Sequence, residues 1–336
     1  MVYIKIIKLL KIFINNLVHA LDVSMNGAQV IFVSLVGAAL VLIVAVPVIY
    51  TLVRDDGNDG SGLQVIATFY PLYFFAGEVL GEQGSVSMLI PENSEPHAWE
   101  PSVSDVLKVG KADVFVYNGA GLEPWVVDFL SSIGNSDLVV VDSSRGLFDE
   151  DNGTQSSDEN EHHDDPHFWL DPILAEGQVD SIFAGLVETD PDNEDIYVGN
   201  ARLLKDRLEE LNDEFVKGLE DRTKNDIVTT HDAFDHMADR YDFTSHAAIG
   251  VSADEQPSVE DLYRLARLVD DLDLHYVFVE PGYSDAYMGT ISHETGAEVL
   301  VLDGIHGRSG VHSGLDYFEI MEENLKNLRI GLEVAP

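Results

Sequence analysis

The stretch Asp165-Pro166-His167-Phe168-Trp169-Leu170-Asp171-Pro172 is the segment around which the rest of the chain is organised. Its histidine lies between two prolines, whose rings fix the backbone angle φ, and an aromatic pair follows it directly. An acidic run with two further histidines, Glu161-His162-His163-Asp164, precedes the stretch. A restrained imidazole beside carboxylates is typical of a cation site, and such a site needs further ligands from elsewhere in the chain.

The composition excludes several classes of partner and site. The chain of 336 residues has a net charge of −41 and no cysteine. Residues 1–62 contain equal numbers of basic and acidic side chains, so the whole net charge belongs to the remainder. Such a domain repels nucleic acid and anionic lipid headgroups, and it has neither disulfides nor thiolate metal sites. We interpret the acidic surface as an aid to solvation in salty surroundings, with loose attraction of cations as the alternative.

A segment near the N-terminus is long enough to cross a membrane. Val30–Val53 contains 24 residues and no charge, and at about 1.5 Å per residue it spans a hydrocarbon core of about 30 Å. Three lysines precede it, which places residues 1–29 in the cytoplasm and the acidic remainder outside the cell. A cleaved signal peptide is the alternative, but the apolar run is long and no small-residue cleavage site follows it. Met25 is an alternative start of the chain.

The remaining sequence predicts an α/β fold. Short apolar runs alternate with helical segments on both sides of a long amphipathic stretch, Asp192–Gly218, and this alternation is typical of βαβ units around a parallel sheet. We expect two lobes, each with a central, mostly parallel four-stranded sheet, joined by one long rigid helix and preceded by a transmembrane helix. The predicted organisation is a cytoplasmic segment 1–29, a transmembrane anchor 30–53, a linker 54–62, an N-terminal α/β lobe 63–190, a connecting helix 191–219 and a C-terminal α/β lobe 220–336.

Four candidate ligands follow predicted strands. His97 comes after the strand Ser85–Ile90, His167 after Leu138–Val141 and His231 after Asp226–Thr229, while Asp303 ends the strand Glu298–Leu302; each half of the chain contributes two of them. Ligands of open α/β sheets bind at the carboxyl ends of the strands. Two such edges facing each other would bring three imidazoles and one carboxylate together, a donor set that suits zinc or manganese.

Other residues near these positions have predicted supporting roles. Carboxylates adjacent to the ligands are candidates for fixing the imidazole tautomers. These are Glu95, Glu100, Asp171, Asp232 and Glu280. Trp99 and Trp169 either cap the site or pack in the core, and His306 and His312, in the glycine-rich loop after Asp303, are candidates for assisting ion entry.

Several motifs resemble those of a known transport family. They are PHAWEPSVSD (96–105), DPHFWLDP (165–172), THDAFDHMADRYDF (230–243), VFVEPGYS (277–284) and AEVLVLDG (297–304). In this order, across most of residues 64–332, they are similar to the solute-binding subunits of zinc and manganese ABC transporters. The resemblance implies two α/β lobes joined by a rigid helix, with the ion between the lobes.

By position, the resemblance makes His97, His167, His231 and Asp303 the ligands of a transported ion. The manganese branch of that family usually has a glutamate at the third position, so His231 favours Zn²⁺, with Mn²⁺ as the alternative. The insert 149–165 is similar to the metal-collecting loop of zinc-specific members, although it is short and contains only two histidines. A solvated surface loop is the alternative interpretation. The apparent transmembrane anchor departs from the lipid anchor or free periplasmic form that bacterial members commonly have.

The resulting hypothesis is a monomeric binding protein on the extracellular side of the cell membrane. It would deliver the ion to an ABC permease whose transmembrane subunit and ATPase are separate chains, because no GxxxxGK[ST] motif occurs here. A metal-dependent hydrolase is the second hypothesis, but neither HExxH nor GxSxG is present, so we expect no enzyme activity. A surface adhesin or receptor on the same architecture is the third.

Overall fold

The first half of the structure is built on a parallel sheet of four strands. The computed structural model describes residues 62–92, 94–147, 165–251, 256–308 and 310–335. The strands lie in the order β2-β1-β3-β4, and each pairs in parallel with its neighbour. They are β1 (Leu63–Ala67), β2 (Gly84–Met88), β3 (Val114–Tyr117) and β4 (Val139–Asp142). The predicted parallel α/β arrangement of this half is therefore confirmed.

Helices connect and cover this sheet. They are α1 (Tyr70–Leu80), α2 (Val103–Val109), α3 (Val126–Ser131) and α4 (Pro172–Thr189). Helix α4 was not predicted from the sequence, although it begins at a clear start signal. The Asp171 carboxylate accepts hydrogen bonds from the backbone N–H groups of Ile173 and Leu174, and Pro172 occupies the first helical position. The segment that contains His167 is thus fixed to the start of a buried helix.

A 25-residue helix, α5 (Glu194–Gly218), follows. Its buried residues recur at steps of three and four, which is the periodicity from which the sequence predicted a helix here. They are Tyr197, Ala201, Leu204, Leu208, Leu211 and Phe215. This face packs against α4 and α1. The helix is therefore packed against the first half, and near its C-terminal end the Phe215 ring also stacks on Tyr241 of the second half, with centroids 5.1 Å apart.

The second half repeats the alternation of strands and helices. Its elements are β5 (Asp226–His231), α6 (Asp235–Tyr241), β6 (Thr244–Ile249), α7 (Val259–Asp271), β7 (Tyr276–Val279), α8 (Ala286–Thr295), β8 (Glu298–Val301) and α9 (Tyr317–Gly331). Instead of the predicted single sheet of four hydrogen-bonded strands, β5 pairs in parallel with β6, and β7 with β8. The two pairs lie side by side, and the Glu280 N–H donates to the Thr230 hydroxyl between them at 3.3 Å. Within each pair the two strands run in the same direction, so their carboxyl ends lie at the same edge.

One hydrophobic cluster contains buried residues from both halves, and two smaller clusters each belong to one half. Phe69 and Phe75 from the first half belong to the same buried cluster as Tyr317 and Met321 of α9. The rings of Phe75 and Tyr317 pack edge to face with centroids 4.9 Å apart. The Tyr317 hydroxyl donates to the Trp169 carbonyl oxygen at 2.7 Å, also in the interior. Packing between the halves is therefore continuous with packing inside them.

Several predicted segments lie outside the described residues. These are the cytoplasmic segment 1–29, the transmembrane anchor 30–53, nearly all of the linker 54–62 and most of the insert 149–165. Among the helices of the described ranges, none combines the length and apolar character needed to cross a membrane.

We expect Leu208→Ala to lower the free energy of unfolding by about 2 to 5 kcal/mol, because it leaves a cavity beside a fully buried helix face. Leu203→Ala, on the same helix but 64% exposed, makes the same change in helix propensity and should have little effect. Urea unfolding of the metal-free protein measures both. Equal losses in the two variants would contradict the packing of α5 described above.

Candidate metal centre

Four histidines from both halves meet at the carboxyl ends of the strands. Each of His97, His167, His231 and His306 offers a ring nitrogen, and these four atoms lie within 4.8 Å of one another. His97 lies in the loop between β2 and α2, and His167 precedes α4; His231 is the last residue of β5, and His306 lies in the loop after β8. The Nε2 atom of His167 is 3.2 Å from that of His97 and 3.3 Å from that of His231.

Carboxylates behind two of the imidazoles set their orientation. Asp165 accepts from the backbone N–H of His167 at 3.0 Å and lies 2.5 Å from its Nδ1 atom. Glu280 does the same for His231, with its carboxylate oxygens 3.0 Å from the backbone nitrogen and 2.9 Å from Nδ1. When Nδ1–H donates to a carboxylate, the lone pair is on Nε2. In that tautomer, the Nε2 atoms of His167 and His231, which lie 3.3 Å apart, are available to bind a cation.

The spacing of the nitrogens matches a tetrahedral ion. Zinc binds histidine nitrogen at about 2.0 to 2.1 Å, so two nitrogens of a tetrahedral site are about 3.3 to 3.4 Å apart. The observed separations of 3.2 and 3.3 Å agree with this value. The Nε2 atom of His306 is also buried and has no hydrogen-bond partner among the described residues. Converging lone pairs and a buried unpaired nitrogen are costly unless a cation binds between them.

Burial keeps these imidazoles uncharged. Loss of solvation lowers the pKa of His97 to about 3, with the charge of His306 as the next cause. Burial likewise lowers the pKa of His231 and of His306 to about 4, and that of His167 well below its usual value. Neutral imidazole is the form that binds metal, so the site needs no loss of protons from these rings at neutral pH.

Glu280 is a buried carboxyl group whose side-chain partner is His231, with Nδ1 at 2.9 Å from its oxygens. It is 1% exposed, and desolvation raises its pKa to about 8. Its hydrogen-bond partner His231 stays neutral under the same conditions. The pair therefore has no net charge in the metal-free site at neutral pH.

Of the four ligands predicted from sequence, the structure brings three together. His97, His167 and His231 belong to the group, whereas Asp303 does not. One Asp303 oxygen accepts from the Ile305 N–H at 2.8 Å, and the other lies 2.6 Å from Nδ1 of His312. Both oxygens thus have partners within their own loop.

The loop after β8 also positions His306 among the four histidines. Ile305 has a φ of +53°, a left-handed conformation that β-branched residues rarely adopt. The hydrogen bond from its N–H to Asp303 stabilises this turn, and the next residue is His306. From the sequence, His306 was a candidate only for assisting ion entry. Its position three residues after a candidate ligand, in a loop after a strand, was the available signal for a ligand.

The backbone at Gly304 passes so close to Glu280 and His306 that a residue with a side chain would clash with them. A Cβ atom at this position would lie 2.7 Å from a Glu280 carboxylate oxygen and 2.9 Å from Cε1 of His306. Both neighbours orient or form part of the histidine group. The absence of a side chain at Gly304 therefore lets the loop after β8 lie against the carboxylate that holds His231.

The predicted supporting residues differ in their observed roles. Glu280 contacts His231 as expected, and Glu95 accepts from the His97 backbone N–H at 3.3 Å. Asp171 instead caps α4 and pairs with Arg240. Glu100 is exposed, and Asp232 lines a surface pocket beside α6.

The two tryptophans that were expected to cap the site or to pack in the core lie in different places. Trp169 lies against the site, with ring centroids 5.1 Å from His167 and 5.6 Å from His306, and it is fully buried. Its indole N–H donates to the Gly304 carbonyl oxygen at 2.8 Å. Trp99 is half-buried and packs edge to face on Trp125 against a hydrophobic cluster of the first half, with centroids 5.1 Å apart. Trp169 is thus the residue that closes the apolar side of the histidine group.

The sequence is similar to those of known zinc-uptake proteins. The protein-family profile described as "ZnuA: Zinc-uptake complex component A periplasmic" matches residues 65–331. The high-affinity zinc uptake system protein ZnuA of Bacillus subtilis (strain 168) is 33% identical over 289 residues, which cover 82% of this chain and 90% of that protein. The chain spans only 56% of the longer zinc-binding protein AdcA of Streptococcus pyogenes.

Two solved structures extend the similarity to three dimensions. The Zn(II)-bound ZnuA-like domain of AdcA from Streptococcus pneumoniae matches with a TM-score of 0.69 and 30% identity, covering 81% of this chain and 99% of that one. The laminin-binding protein Lmb of Streptococcus agalactiae, titled a bifunctional protein with adhesin and metal transporting activity, matches with a TM-score of 0.72 and 28% identity. The match to Lmb covers 81% of this chain and all of that one.

The lowered pKa of His231 predicts a pH-dependent contribution to stability. Below pH 6.5 the unfolded chain takes up a proton on this imidazole, whereas the folded chain keeps it neutral down to about pH 4, so the free energy of unfolding decreases as the pH falls through this window. Between pH 7.0 and 5.5 the contribution of this residue to the loss is about 1 kcal/mol.

Urea unfolding of metal-free wild-type protein and of His231→Gln, each at these two pH values, measures that contribution. The variant should lose about 1 kcal/mol less than the wild type over the interval. His293→Gln, at an 83% exposed position, should behave as the wild type does. Identical pH dependence in wild type and His231→Gln would contradict the buried, neutral state of this imidazole.

Proposed function

Because the chain belongs to the ZnuA family of zinc-uptake components, we propose that it captures Zn²⁺ outside the cell and delivers it to an ABC permease. Members of this family are metal-binding components of transport systems rather than enzymes, which agrees with the prediction from sequence that the chain is not an enzyme. The ion is the cargo of the protein, and the permease and its ATPase are separate chains.

The observation that carries this proposal is the group of four imidazoles, of which His167 and His231 are fully buried. Their neutral state and the 3.2 and 3.3 Å separations between nitrogens support a tetrahedral site for a borderline-soft dication. A set of four nitrogens favours zinc over manganese, because manganese prefers oxygen ligands. With four protein ligands, no coordination position remains for an activated water, so the site suits holding an ion rather than hydrolysis.

We propose His97, His167, His231 and His306 as the four ligands. The first three are the histidines predicted from sequence. His306 is preferred to Asp303 as the fourth because its Nε2 atom is buried without a hydrogen-bond partner among the described residues. Both Asp303 oxygens already have partners, and their contact with Ile305 supports a role in shaping the turn before His306.

The wider arrangement is proposed from the sequence and the family together. The halves 63–190 and 220–336 act as two lobes that hold the ion between them, and the helix of 191–219 is a rigid connection. The apolar segment 30–53 anchors the protein, with residues 1–29 in the cytoplasm and the binding domain on the extracellular side. The protein acts as a monomer that docks on the permease.

An adhesin is the second candidate function, because structurally similar streptococcal proteins are described as laminin-binding. Immobilised laminin, tested with zinc-loaded and chelated protein, separates the two candidates. Binding that persists after chelation would favour the adhesin, whereas zinc binding without laminin binding would favour the transport component.

We expect the soluble domain, residues 62–336, to bind one Zn²⁺ per chain in titration calorimetry. His231→Ala should weaken binding by about 100-fold or more, since even the loss of an outer carboxylate costs about 10- to 100-fold. His293→Ala, at an exposed position, is the matched control and should bind as the wild type does. Failure of the wild type to bind zinc, or unchanged affinity in His231→Ala, would contradict the proposal.

A second titration identifies the fourth ligand. His306→Ala should lower the zinc affinity by about 100-fold, whereas Asp303→Asn, which retains the shape of the side chain, should lower it by at most about tenfold. X-ray absorption of the zinc-loaded wild type should fit four nitrogen ligands near 2.0 Å. A larger loss in Asp303→Asn than in His306→Ala, together with an oxygen ligand, would assign the position to Asp303.

A further inference from the structure

The buried contacts between the two halves leave little room for a wide opening of the cleft. Trp169 donates to the Gly304 carbonyl oxygen, and Tyr317 donates to the Trp169 carbonyl oxygen, both in the interior. Around them lies the hydrophobic cluster that both halves share. Separating the halves would expose this cluster, at a large cost in free energy. An ion is therefore exchanged more readily through movement of the loops at the rim of the site.

At that rim, one ion pair joins loops from opposite halves. Arg308 donates to the same Glu92 carboxylate oxygen through Nε at 3.2 Å and Nη2 at 2.6 Å. The Arg308 guanidinium carbon also lies 4.9 Å from the centre of the Tyr70 ring. The Arg308 and Glu92 side chains are 32% and 39% exposed. The pair is therefore open to solvent in a way that the interior contacts are not.

A hydrogen bond at the rim makes a second connection. The Tyr283 hydroxyl donates to one Glu95 carboxylate oxygen at 3.0 Å, and the other oxygen of Glu95 accepts from the His97 backbone N–H. The Tyr283 ring stacks on His231, with centroids 5.0 Å apart and planes at 16°. This contact thus links one histidine of the first half to one of the second.

The rim contacts are coupled to the histidines through short backbone connections. Arg308 follows His306 by two residues, and a Cβ atom on Gly307 would lie 2.1 Å from the Glu92 carbonyl oxygen, so the two loops touch through their backbones. Moving Arg308 away from Glu92 would carry His306 with it. Breaking the contact of Tyr283 with Glu95 would likewise free the loop that holds His97.

We propose that Glu92, Arg308, Glu95 and Tyr283 form a rim latch that positions the histidine loops and sets the rate at which the ion enters and leaves. This inference rests on the proposed function, because it concerns exchange of the zinc held there. The latch residues act through the histidines and are not ligands themselves. Their removal therefore changes the exchange rate more than the number of ions bound.

The test is the rate of zinc transfer from residues 62–336 to an excess of a chromogenic chelator, followed by stopped flow. Arg308→Gln and Tyr283→Phe should each speed the release of zinc by about fivefold or more, because each removes one contact that must break before the ion leaves. Tyr283→Phe retains the ring that stacks on His231. Arg267→Gln and Tyr263→Phe, at exposed positions remote in sequence from the latch, are the matched controls and should release zinc at the wild-type rate.

Two further measurements distinguish a latch from general loosening of the fold. The double variant Glu92→Arg with Arg308→Glu should restore slow release, because the ion pair is re-formed in reverse. Raising the NaCl concentration should accelerate release from the wild type but have much less effect on Arg308→Gln, since salt screens a partly exposed pair. Thermal unfolding of each variant verifies that it is folded, and Glu92→Gln serves in place of Arg308→Gln where that variant is not.

The outcomes separate this inference from the proposed function. One zinc per wild-type chain together with wild-type release rates in Arg308→Gln and Tyr283→Phe would overturn the latch and leave the function intact. A wild type that binds no zinc would overturn both. Faster release in both variants, with recovery in the charge-reversed pair, would establish the latch.

Discussion

The structure depends on imidazole nitrogens that are kept neutral and directed at one another in the interior of the protein. Neutral rings do not repel each other as imidazolium ions would, so four ring nitrogens can lie within 4.8 Å of one another. Asp165 and Glu280 hold two of the rings in this orientation from behind, and Trp169 excludes water from one side. The site is thus prepared for a cation before the cation arrives, so little ordering is left for the binding step.

The fold provides this arrangement by joining strand ends from two similar halves. Loops that follow β2 and β4 meet loops that follow β5 and β8, so the four rings come from four separate connections. His231 ends β5 itself, and His167 lies five residues before the start of α4, so both are fixed to regular elements. The shared core then holds the two sets of loops at a constant distance. Precise spacing of the nitrogens therefore depends on packing remote from them.

Much of this could be predicted from the sequence, because three histidines directly follow recognisable strands or lie in a proline-fixed stretch. The alternation of strands and helices and the long helix α5 were evident from hydrophobic periodicity. The role of the loop after β8 could not be inferred, because it depends on the left-handed conformation of Ile305, which local sequence disfavours. Helix α4 was not predicted although Asp171 and Pro172 form an ordinary start signal, because apolar residues such as Ile173 and Phe183 lie outside its buried face and blur the helical periodicity.

The continuous core has a consequence for how this architecture can be divided. Phe75 and Tyr317 pack edge to face in this cluster, although 242 positions separate them along the chain. A polypeptide ending after α5 would present the aromatic surface of α1 to water, and the complementary fragment would present that of α9. Such surfaces promote self-association. The two α/β units therefore share an order of strands and helices, but neither is expected to fold without the other.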